Sequence, residues 1–257
     1  MEKWIGQRFI FLPRPTSLQP YGYQDFSGGS NEFGHPTYEE AAGKIGTVRG
    51  YSIKGSIPTI TIEMAEGSTY EGKSYGGGSF DSIALVRDFD LARSKWLGKK
   101  LWIVSSALST YDADTDKLGE VKVKRYSPVH VTNIVAGWYE NEPVRFVVKS
   151  ASGVEGFVDV QLSGTNVPDS LRDLNRFDEY FLETDPRKKH NWPEKIWKSI
   201  ENSKVSLGMT REQATFSWGT PKSINKTHNS SNTLEQWVYG DGNYLYFRNG
   251  KLVSIQN

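Results

Sequence analysis

Residues 67–76 contain two overlapping patterns that are associated with chemistry. Gly67, Gly72, Lys73 and Ser74 fit G-x-x-x-x-G-K-S, the loop that holds nucleotide phosphates with its backbone amides. Residues 72–76 also fit G-x-S-x-G, the turn that exposes the nucleophilic serine of many hydrolases. The first pattern would place Lys73 against a phosphate, and the second would make Ser74 a nucleophile.

The residues that follow Ser74 argue against both sites. A phosphate loop needs a helix that begins at its Lys-Ser pair, because the amides at the helix start hold the phosphate. Tyr75 is followed by three glycines at 76–78, which disfavour a helix. The hydrolase turn needs a following helix as well, and a triad partner. We therefore predict a hairpin loop with neither activity.

A run of alternating aspartates offers a metal candidate. Asp112, Asp114 and Asp116 begin like a calcium-binding loop, in which carboxylates at alternate positions converge on one cation. The sixth position requires glycine but is Lys117, and the twelfth requires a bidentate glutamate but is Val123. The pattern favours an acidic, solvated turn. We expect no bound metal and no other cofactor.

The histidines show no spacing that is typical of metal ligands or of a catalytic pair. They are His35, His130, His190 and His228. None belongs to an H-E-x-x-H pattern, and none has an obvious nucleophile beside it. No residue is therefore assigned to catalysis, and we expect the protein not to be an enzyme.

Aromatic residues in two loops are the candidate binding residues. Tyr21, Tyr23 and Phe26 lie in a stretch that includes Gly22 and Gln24, while Trp138 and Tyr139 lie at an expected hairpin tip. Aromatic rings in loops bind well because they bury a large area with few rotatable bonds. The alternative is that these rings fill the cores of small β-domains.

Composition excludes several classes of function. The chain has 257 residues, a net charge of +1 and no cysteine, and 37% of its residues are hydrophobic. The near-zero charge predicts no nucleic-acid partner. The absence of cysteine excludes disulfides, thiolate catalysis and cysteine-ligated zinc. The sequence contains no apolar run long enough to cross a membrane as a helix.

The first two thirds of the chain contain an internal repeat of short strand-like segments, separated by turn residues. Four pairs of segments match: 4–11 with 96–103, 44–49 with 117–122, 60–64 with 144–148, and 78–81 with 156–159. Such segments, with little helical periodicity, predict small β-barrels. The opening Trp-x-Gly strand and the closing Gly-aromatic-Val-Asp strand resemble bacterial SH3-like barrels. We place these modules at residues 1–94 and 95–166.

The last third of the chain has a different pattern. Leu171, Leu174, Phe177 and Phe181 have helical spacing, which predicts a linking helix within 167–185. A second helix should follow Asn191, and a third should begin at a capping box of Thr and Gln at 210 and 213. Asp-Gly at 241–242 and Asn-Gly at 249–250 predict tight turns in a three-stranded meander.

Several segments of this last third resemble the SmpA/OmlA (BamE-like) domain of outer-membrane lipoproteins. The matching residues are Gly208-Met209-Thr210, Gln213, Trp218-Gly219-Thr220-Pro221, Trp237-Val238-Tyr239, Tyr246-Phe247 and Asn249-Gly250-Lys251-Leu252. The resemblance implies a two-helix, three-strand domain at 186–257 that binds other proteins at the cell envelope. It implies no catalytic residues.

Together these observations predict a mainly β protein: two SH3-like barrels, a linking helix and a C-terminal α+β domain. We expect a non-enzymatic protein- or peptide-binding or scaffolding protein. The alternatives are a module that binds cell-wall glycan, or a hydrolase whose barrels act in targeting. We expect it in the periplasm or cell envelope, with an export signal that the given sequence does not include, and the alternative is the cytoplasm.

Overall fold

The structure, a computed structural model, describes residues 2–75, 78–228 and 232–257. Strands predominate over helices in these residues, so the predicted mainly β class is confirmed. The backbone contacts divide the chain into two units. Unit 1 comprises Met1–Val123 and Ser127–Thr184, and unit 2 comprises Lys124–Tyr126 and Asp185–Asn257. The four segments expected from the sequence stay a prediction about domain organisation.

The first half of unit 1 forms an antiparallel sheet of six strands around an aromatic core. Phe9, Phe11, Tyr23, Phe26 and Phe80 are all buried in this core. Two α-helices, α1 (Tyr38–Ala41) and α2 (Val86–Trp96), accompany the sheet, as do short 3-10 helices at Glu2–Trp4 and Thr16–Tyr21. The strands, whose order in the sheet is β2-β5-β4-β3-β1-β6, are β1 (Arg8–Phe11), β2 (Phe26–Ser27), β3 (Ile45–Lys54), β4 (Ile57–Met64), β5 (Thr69–Lys73) and β6 (Ile83–Leu85).

The second half of unit 1 forms a sheet of seven strands. Its core strand β11 alternates, with Val144, Phe146 and Val148 directed to the core and Arg145 directed to the opposite face. A 3-10 helix at Asp169–Leu171 and helix α3 (Phe177–Tyr180) follow β12. The strands, in the order β13-β7-β10-β11-β12-β8-β9, are β7 (Lys100–Ile103), β8 (Ala107–Asp112), β9 (Lys117–Lys122), β10 (Pro128–Ala136), β11 (Val144–Ser150), β12 (Glu155–Val160) and β13 (Phe181–Leu182).

The two sheets pair their strands in the same sequence. The order β6-β1-β3-β4-β5 in the first corresponds to β13-β7-β10-β11-β12 in the second. Gly6 N donates to Val48 O over 2.8 Å, and Gly98 N donates to Val131 O over 2.9 Å. A register shift then follows Val48 in β3 and Val131 in β10. The first and third sequence matches thus lie at equivalent places in the sheets.

The other two sequence matches are wrong. Residues 44–49 enter β3, whose counterpart is β10, whereas residues 117–122 form the edge strand β9, which pairs with β8. Residues 156–159 lie inside β12, but residues 78–81 follow β5 in a loop. Both pairs share residue types that many strands and turns use. The SH3-like architecture stays a prediction.

The phosphate-loop pattern falls largely in a strand, so the expected hairpin loop is corrected. Gly72 and Lys73 end β5, and Gly72 is opposite Ile60 of β4. A Cβ on Gly72 would lie 2.5 Å from a ring carbon of Phe26, so packing explains this glycine. Ser74 is buried, and no helix begins there. Two of the glycines that follow, Gly76 and Gly77, lie outside the described residues.

The linking helix expected at 167–185 is wrong. This segment contains only the short 3-10 helix, the four residues of α3 and the strand β13. The buried Gln161 side chain donates from Nε2 to the carbonyls of Leu171, Arg172 and Leu174, which a helix would have bonded internally. Asn175 then takes a φ of 56°, which ends any helical run.

The described residues of unit 2 form three helices and a sheet of four strands that are consecutive in the chain. The helices are α4 (Pro186–Lys189), α5 (Glu194–Glu201) and α6 (Arg211–Trp218). The strands are β14 (Ser223–His228), β15 (Thr233–Gly240), β16 (Asn243–Arg248) and β17 (Lys251–Gln256). The expected number of three strands is wrong, because β14 adds an edge strand. Its residues are all exposed, so the polar sequence gives no alternating pattern.

The local signals in unit 2 are confirmed. Thr210 Oγ1 accepts from Gln213 N, and Thr210 N donates to Gln213 Oε1, so α6 begins at the predicted capping box. Asn249 and Gly250 have φ values of 49° and 80°, as a tight hairpin turn requires. The core of this unit is formed by Met209, Ala214, Trp237, Leu245, Phe247 and Leu252.

A three-residue segment from far upstream completes unit 2. Arg125 Nη1 donates to Ile200 O at the end of α5 and to Ser217 O in the last turn of α6. Its Nη2 donates to Phe216 O, and the buried Tyr126 hydroxyl donates to the same carbonyl over 2.7 Å. These carbonyls lie in the last turns of α5 and α6, beyond the reach of intrahelical N–H donors, so the segment supplies donors at the two helix ends.

Candidate ligand-binding cleft

A cleft of about 260 Å³ is lined by residues of strands β8, β9 and β12 of the second sheet and by the connection between β10 and β11. The connection between β10 and β11, residues 137–143, forms one wall. Gly137 N donates to Pro143 O over 2.7 Å, which closes this connection. A Cβ on Gly137 would lie 3.3 Å from the Asp159 carboxylate, so the glycine lets the connection approach β12 closely.

Aromatic side chains line much of the cleft. Trp138 and Tyr139 come from the connection, Phe157 comes from β12, and Tyr180 comes from the end of α3. Only 9% of the Trp138 surface is exposed, whereas Tyr139 is 44% exposed. Trp138 therefore serves mainly as a wall, and Tyr139 is the more exposed of the two residues.

Three carboxylates also line the cleft. They belong to Glu120 of β9, Glu142 of the connection and Asp159 of β12. No lysine, arginine or histidine is among the described residues that line it. The cleft is thus acidic as well as aromatic.

Asp159 is already neutralised by a buried arginine. Arg145 donates from Nε and Nη2 to the two Asp159 oxygens over 2.8 and 2.7 Å, directly across the β11–β12 pair. The same guanidinium lies 4.1 Å from the ring centroid of Trp138 and 3.7 Å from that of Phe157. Arg145 therefore fixes two cleft rings and one cleft carboxylate at once.

Glu142 carries the most unusual carboxyl of the cleft. Burial, followed by the nearby Asp159 charge, raises the pKa of Glu142 from 4.5 to about 7, although Arg145 acts in the opposite direction. Asn175 Nδ2 donates to Glu142 Oε2 over 2.6 Å, and the Tyr180 hydroxyl donates to Asn175 Oδ1 over 3.0 Å. The other carboxylate oxygen of Glu142, Oε1, has no hydrogen-bond partner among the described residues.

Further acidic groups lie outside the cleft lining. Burial and the neighbouring Asp81 carboxyl raise the pKa of Asp25, while Arg14 lowers it. Burial and Asp81 likewise raise the pKa of Glu140. Ser82 N approaches Glu140 Oε2 at 3.5 Å, and Arg14 Nη2 donates to Ser82 Oγ over 2.6 Å. These contacts hold the first sheet's loops next to the start of the cleft wall.

The five predicted binding residues are divided by the structure. Trp138 and Tyr139 line the cleft. Tyr23 and Phe26 are corrected to core residues, because they are 0% and 1% exposed and both pack edge-on against Phe11. Tyr21 is 58% exposed at the end of a 3-10 helix and is not among the cleft residues.

The aspartate run forms an acidic turn in which the carboxylates of Asp112 and Asp116 accept hydrogen bonds. Asp112 accepts from Asp114 N and from Thr115 Oγ1, and Asp116 accepts from Ser17 N and the Tyr111 hydroxyl. These bonds lower the pKa of Asp112 and of Asp116. Within residues 2–75, 78–228 and 232–257, no group of three or more acidic or histidine side chains is arranged to hold a metal ion.

The histidines are dispersed over both units. His35 Nδ1 lies 2.7 Å from Phe26 O, His130 is exposed on β10, and His228 is exposed on β14. His190 stacks on Trp192 at 4.5 Å. None of them lines the cleft.

Sequence reasoning missed most of the polar residues of the cleft. Arg145 has a readable signal, since it interrupts the apolar residues of β11 at the position that faces outward. In the sequence Asp159 stands out only as part of the repeat, and Glu142 has no signal of its own. Their proximity depends on cross-strand pairing and on the position of Asn175, neither of which a local pattern contains.

No helix in the described part of the chain is both long and apolar enough to pass through a membrane. No family model, no curated protein and no solved structure matches the chain.

Proposed function

We propose that the protein binds a peptide or a segment of another protein in the cleft of the second sheet. The observation that carries this proposal is the exposed ring of Tyr139 beside apolar walls and carboxylates in one cavity of about 260 Å³. A cavity of this kind can bury one or two side chains of a partner, with rings that supply area and carboxylates that supply orientation.

Binding is favoured over catalysis by the state of the Asp159 carboxylate and by the absence of histidine from the described cleft lining. Asp159 is held by Arg145 in a bidentate pair, so its oxygens are not free to act as a nucleophile or a base. Ser105 and Ser109 line the cleft, but no histidine does so among the described residues, and a serine nucleophile needs such a base. We therefore propose a protein that is not an enzyme.

A glycan is the second candidate ligand, and a specific observation favours it. Rings such as Tyr139 can stack on sugar faces, and the pKa of about 7 on Glu142 is what an acid catalyst of glycoside cleavage would need. This candidate predicts that cell-wall fragments bind the cleft. If Glu142 also acts as the acid, those fragments should be shortened on incubation.

We also propose that the protein is located at the cell envelope and that residues 186–257 form a BamE-like domain. Both rest on the residues that resemble that domain, including the capping box at Thr210 and the Asn-Gly turn at 249–250. In this proposal the C-terminal domain is a second protein-binding module. Localisation of the tagged full-length protein in fractionated cells tests the first part.

The binding proposal is tested by selecting short random peptides on the wild-type protein and measuring their affinity for two variants. Tyr139→Ala removes the exposed cleft ring and should weaken binding at least about tenfold. Tyr21→Ala removes a similarly exposed ring outside the cleft and should leave the affinity unchanged. Peptides that respond to Tyr21→Ala and not to Tyr139→Ala would contradict the proposed site.

A further inference from the structure

The cleft has an imbalance of charge that bears on its ligand. Three carboxylates line it, and among the described lining residues no basic side chain does. Among the described residues, Arg145 is the arginine that binds a cleft carboxylate, and its two carboxylate contacts both go to Asp159. Glu120 and Glu142 are therefore left without a cation from the described lining residues.

We propose that this cleft, in the peptide-binding function proposed above on which this inference rests, accepts a lysine or arginine side chain of the partner. The Glu142 carboxylate is its counter-ion. The aromatic walls contact the methylene stem of the same side chain. The ligand class is thus a peptide in which a basic residue is flanked by apolar ones.

The orientation of Glu142 supports this assignment. Asn175 binds Oε2 only, and the Tyr180 hydroxyl fixes Asn175 by binding its Oδ1. The backbone of Asn175 is held as well, because its carbonyl accepts from Gln161 N over 2.8 Å. The Glu142 side chain is therefore held in place, and its Oε1 can accept a hydrogen bond from a ligand. Asn175, which is not among the cleft-lining residues, acts as a positioning residue, and the Tyr180 hydroxyl holds it while the Tyr180 ring forms part of the aromatic wall.

The chemistry of the walls disfavours the other ligand classes. An anionic side chain would meet three carboxylates with no basic side chain among the described lining residues. A neutral, apolar side chain would displace water from the Glu142 carboxylate without donating a hydrogen bond in its place. This desolvation costs free energy. A cation supplies both the opposite charge and hydrogen-bond donors, and its stem fits an apolar wall.

The test uses the full chain and three acetylated, amidated tripeptides: Leu-Arg-Leu, Leu-norleucine-Leu and Leu-Glu-Leu. Their affinities are measured by calorimetry at pH 8, where a Glu142 carboxyl with a pKa of about 7 is ionised, and the site is followed by the NMR signals of the Trp138 indole and the Tyr139 amide. We expect Leu-Arg-Leu to bind about 10- to 100-fold more tightly than the norleucine peptide, because a charge-assisted hydrogen bond is lost in the latter. The glutamate peptide should bind most weakly.

Two variants assign the preference to Glu142. Glu142→Gln keeps the size and the Asn175 contact and should abolish the preference for arginine, while Glu142→Asp should retain part of it. Glu155→Gln is the matched control, because Glu155 is an exposed carboxylate on the same strand as Asp159. The basic partner of Glu155 is Lys149, which lies 3.8 Å away. This control variant should leave the preference unchanged.

The outcomes separate the two proposals. Equal binding of the arginine and norleucine peptides, with shifts at Trp138 and Tyr139, would overturn the cation preference and support the peptide site. A preference that survives Glu142→Gln would overturn the role of Glu142. If no tripeptide shifts the cleft signals, but cell-wall glycan fragments do, the peptide-binding function itself is overturned.

Discussion

Glu142 makes the stability of the fold depend on pH. Its pKa is 4.5 in the unfolded chain and about 7 in the fold, so between these values the folded state binds more protons than the unfolded state. The contribution of Glu142 to stability is therefore present at low pH and lost as the pH rises from about 4.5 to about 7. Asp159, Arg145, Glu140 and Tyr180 are the charged or titratable groups that face it.

We expect Glu142→Gln to be more stable than the wild type at pH 8 and close to it at pH 4.5. The amide cannot ionise, so it avoids the cost of a buried charge, and it can still accept from Asn175. Urea denaturation at both pH values measures the difference. A variant that is less stable than the wild type at pH 8 would contradict the assigned cause. Glu155→Gln provides the exposed comparison and should show no such dependence.

The buried ion pair behind the cleft gives a second prediction at the scale of single residues. The Arg145 and Asp159 side chains are 11% and 12% exposed. Asp159→Ala should lower the free energy of unfolding by about 3–5 kcal/mol, because it leaves a buried guanidinium without its counter-ion. Urea denaturation measures this loss.

An exposed pair on the same two strands is the control. Lys149 and Glu155 lie 3.8 Å apart, and both are more than half exposed. Glu155→Ala should cost less than about 1 kcal/mol. If the two alanine variants are equally destabilised, burial does not determine the strength of the Arg145–Asp159 pair.

At the scale of elements, the capping box of α6 should contribute measurably to unit 2. Thr210→Ala removes the acceptor of the Gln213 amide and should cost about 1 kcal/mol in unfolding free energy. Thr227→Ala, on the exposed strand β14, is the control and should cost less. Hydrogen exchange of the α6 amides measures the local effect, and equal exchange in the two variants would contradict it.

The sequence allowed prediction of those elements whose signals are local. The capping box at Thr210 and the turns at Asp241-Gly242 and Asn249-Gly250 depend on neighbouring residues, and the structure has them. Helix α2 was missed, although Val86, Phe89, Ala92 and Trp96 are buried at helical spacing. Its first residues follow the short buried strand β6 directly, so no turn signal marks its start.

Elements and sites that depend on distant residues could not be predicted in this way. The apolar spacing at 171–181 suggests a helix, but Gln161 takes the carbonyls that this helix would need. For the cleft, loop composition pointed to Trp138 and Tyr139 and also to Tyr23 and Phe26, which the first core absorbs. The local sequence around an aromatic residue in a loop does not show whether its ring faces solvent or packs in a core.

At the scale of the whole molecule, the boundary near residue 185 does not isolate a complete unit. Unit 2 also needs Lys124–Tyr126, whose arginine and tyrosine bind the ends of α5 and α6. A chain restricted to residues 185–257 should therefore be less stable than unit 2 in the full protein. A chain that ends at residue 184 would expose the Tyr126 ring, which is only 6% exposed in the fold.

Arg125→Met tests this dependence in the full chain. It keeps the length of the stem but removes the donors to Ile200, Phe216 and Ser217, so the amides of α5 and α6 should exchange faster. Amides of the β10–β11 pair should be unaffected. Lys122→Met, on the exposed edge strand β9, is the control. Unchanged exchange in α5 and α6 would contradict the structural role of Arg125.

The same segment sets an order of events on the ribosome. Ser217, whose carbonyl Arg125 binds, is synthesised 92 residues after Arg125. At about 5–20 residues per second, this delay is about 5–18 s. During that interval Arg125 and Tyr126 cannot reach their helical partners, so unit 2 must be completed after its last helix has been made. A synonymous-codon change that slows translation between residues 127 and 217 should lengthen the time for which a protease can cut next to Arg125.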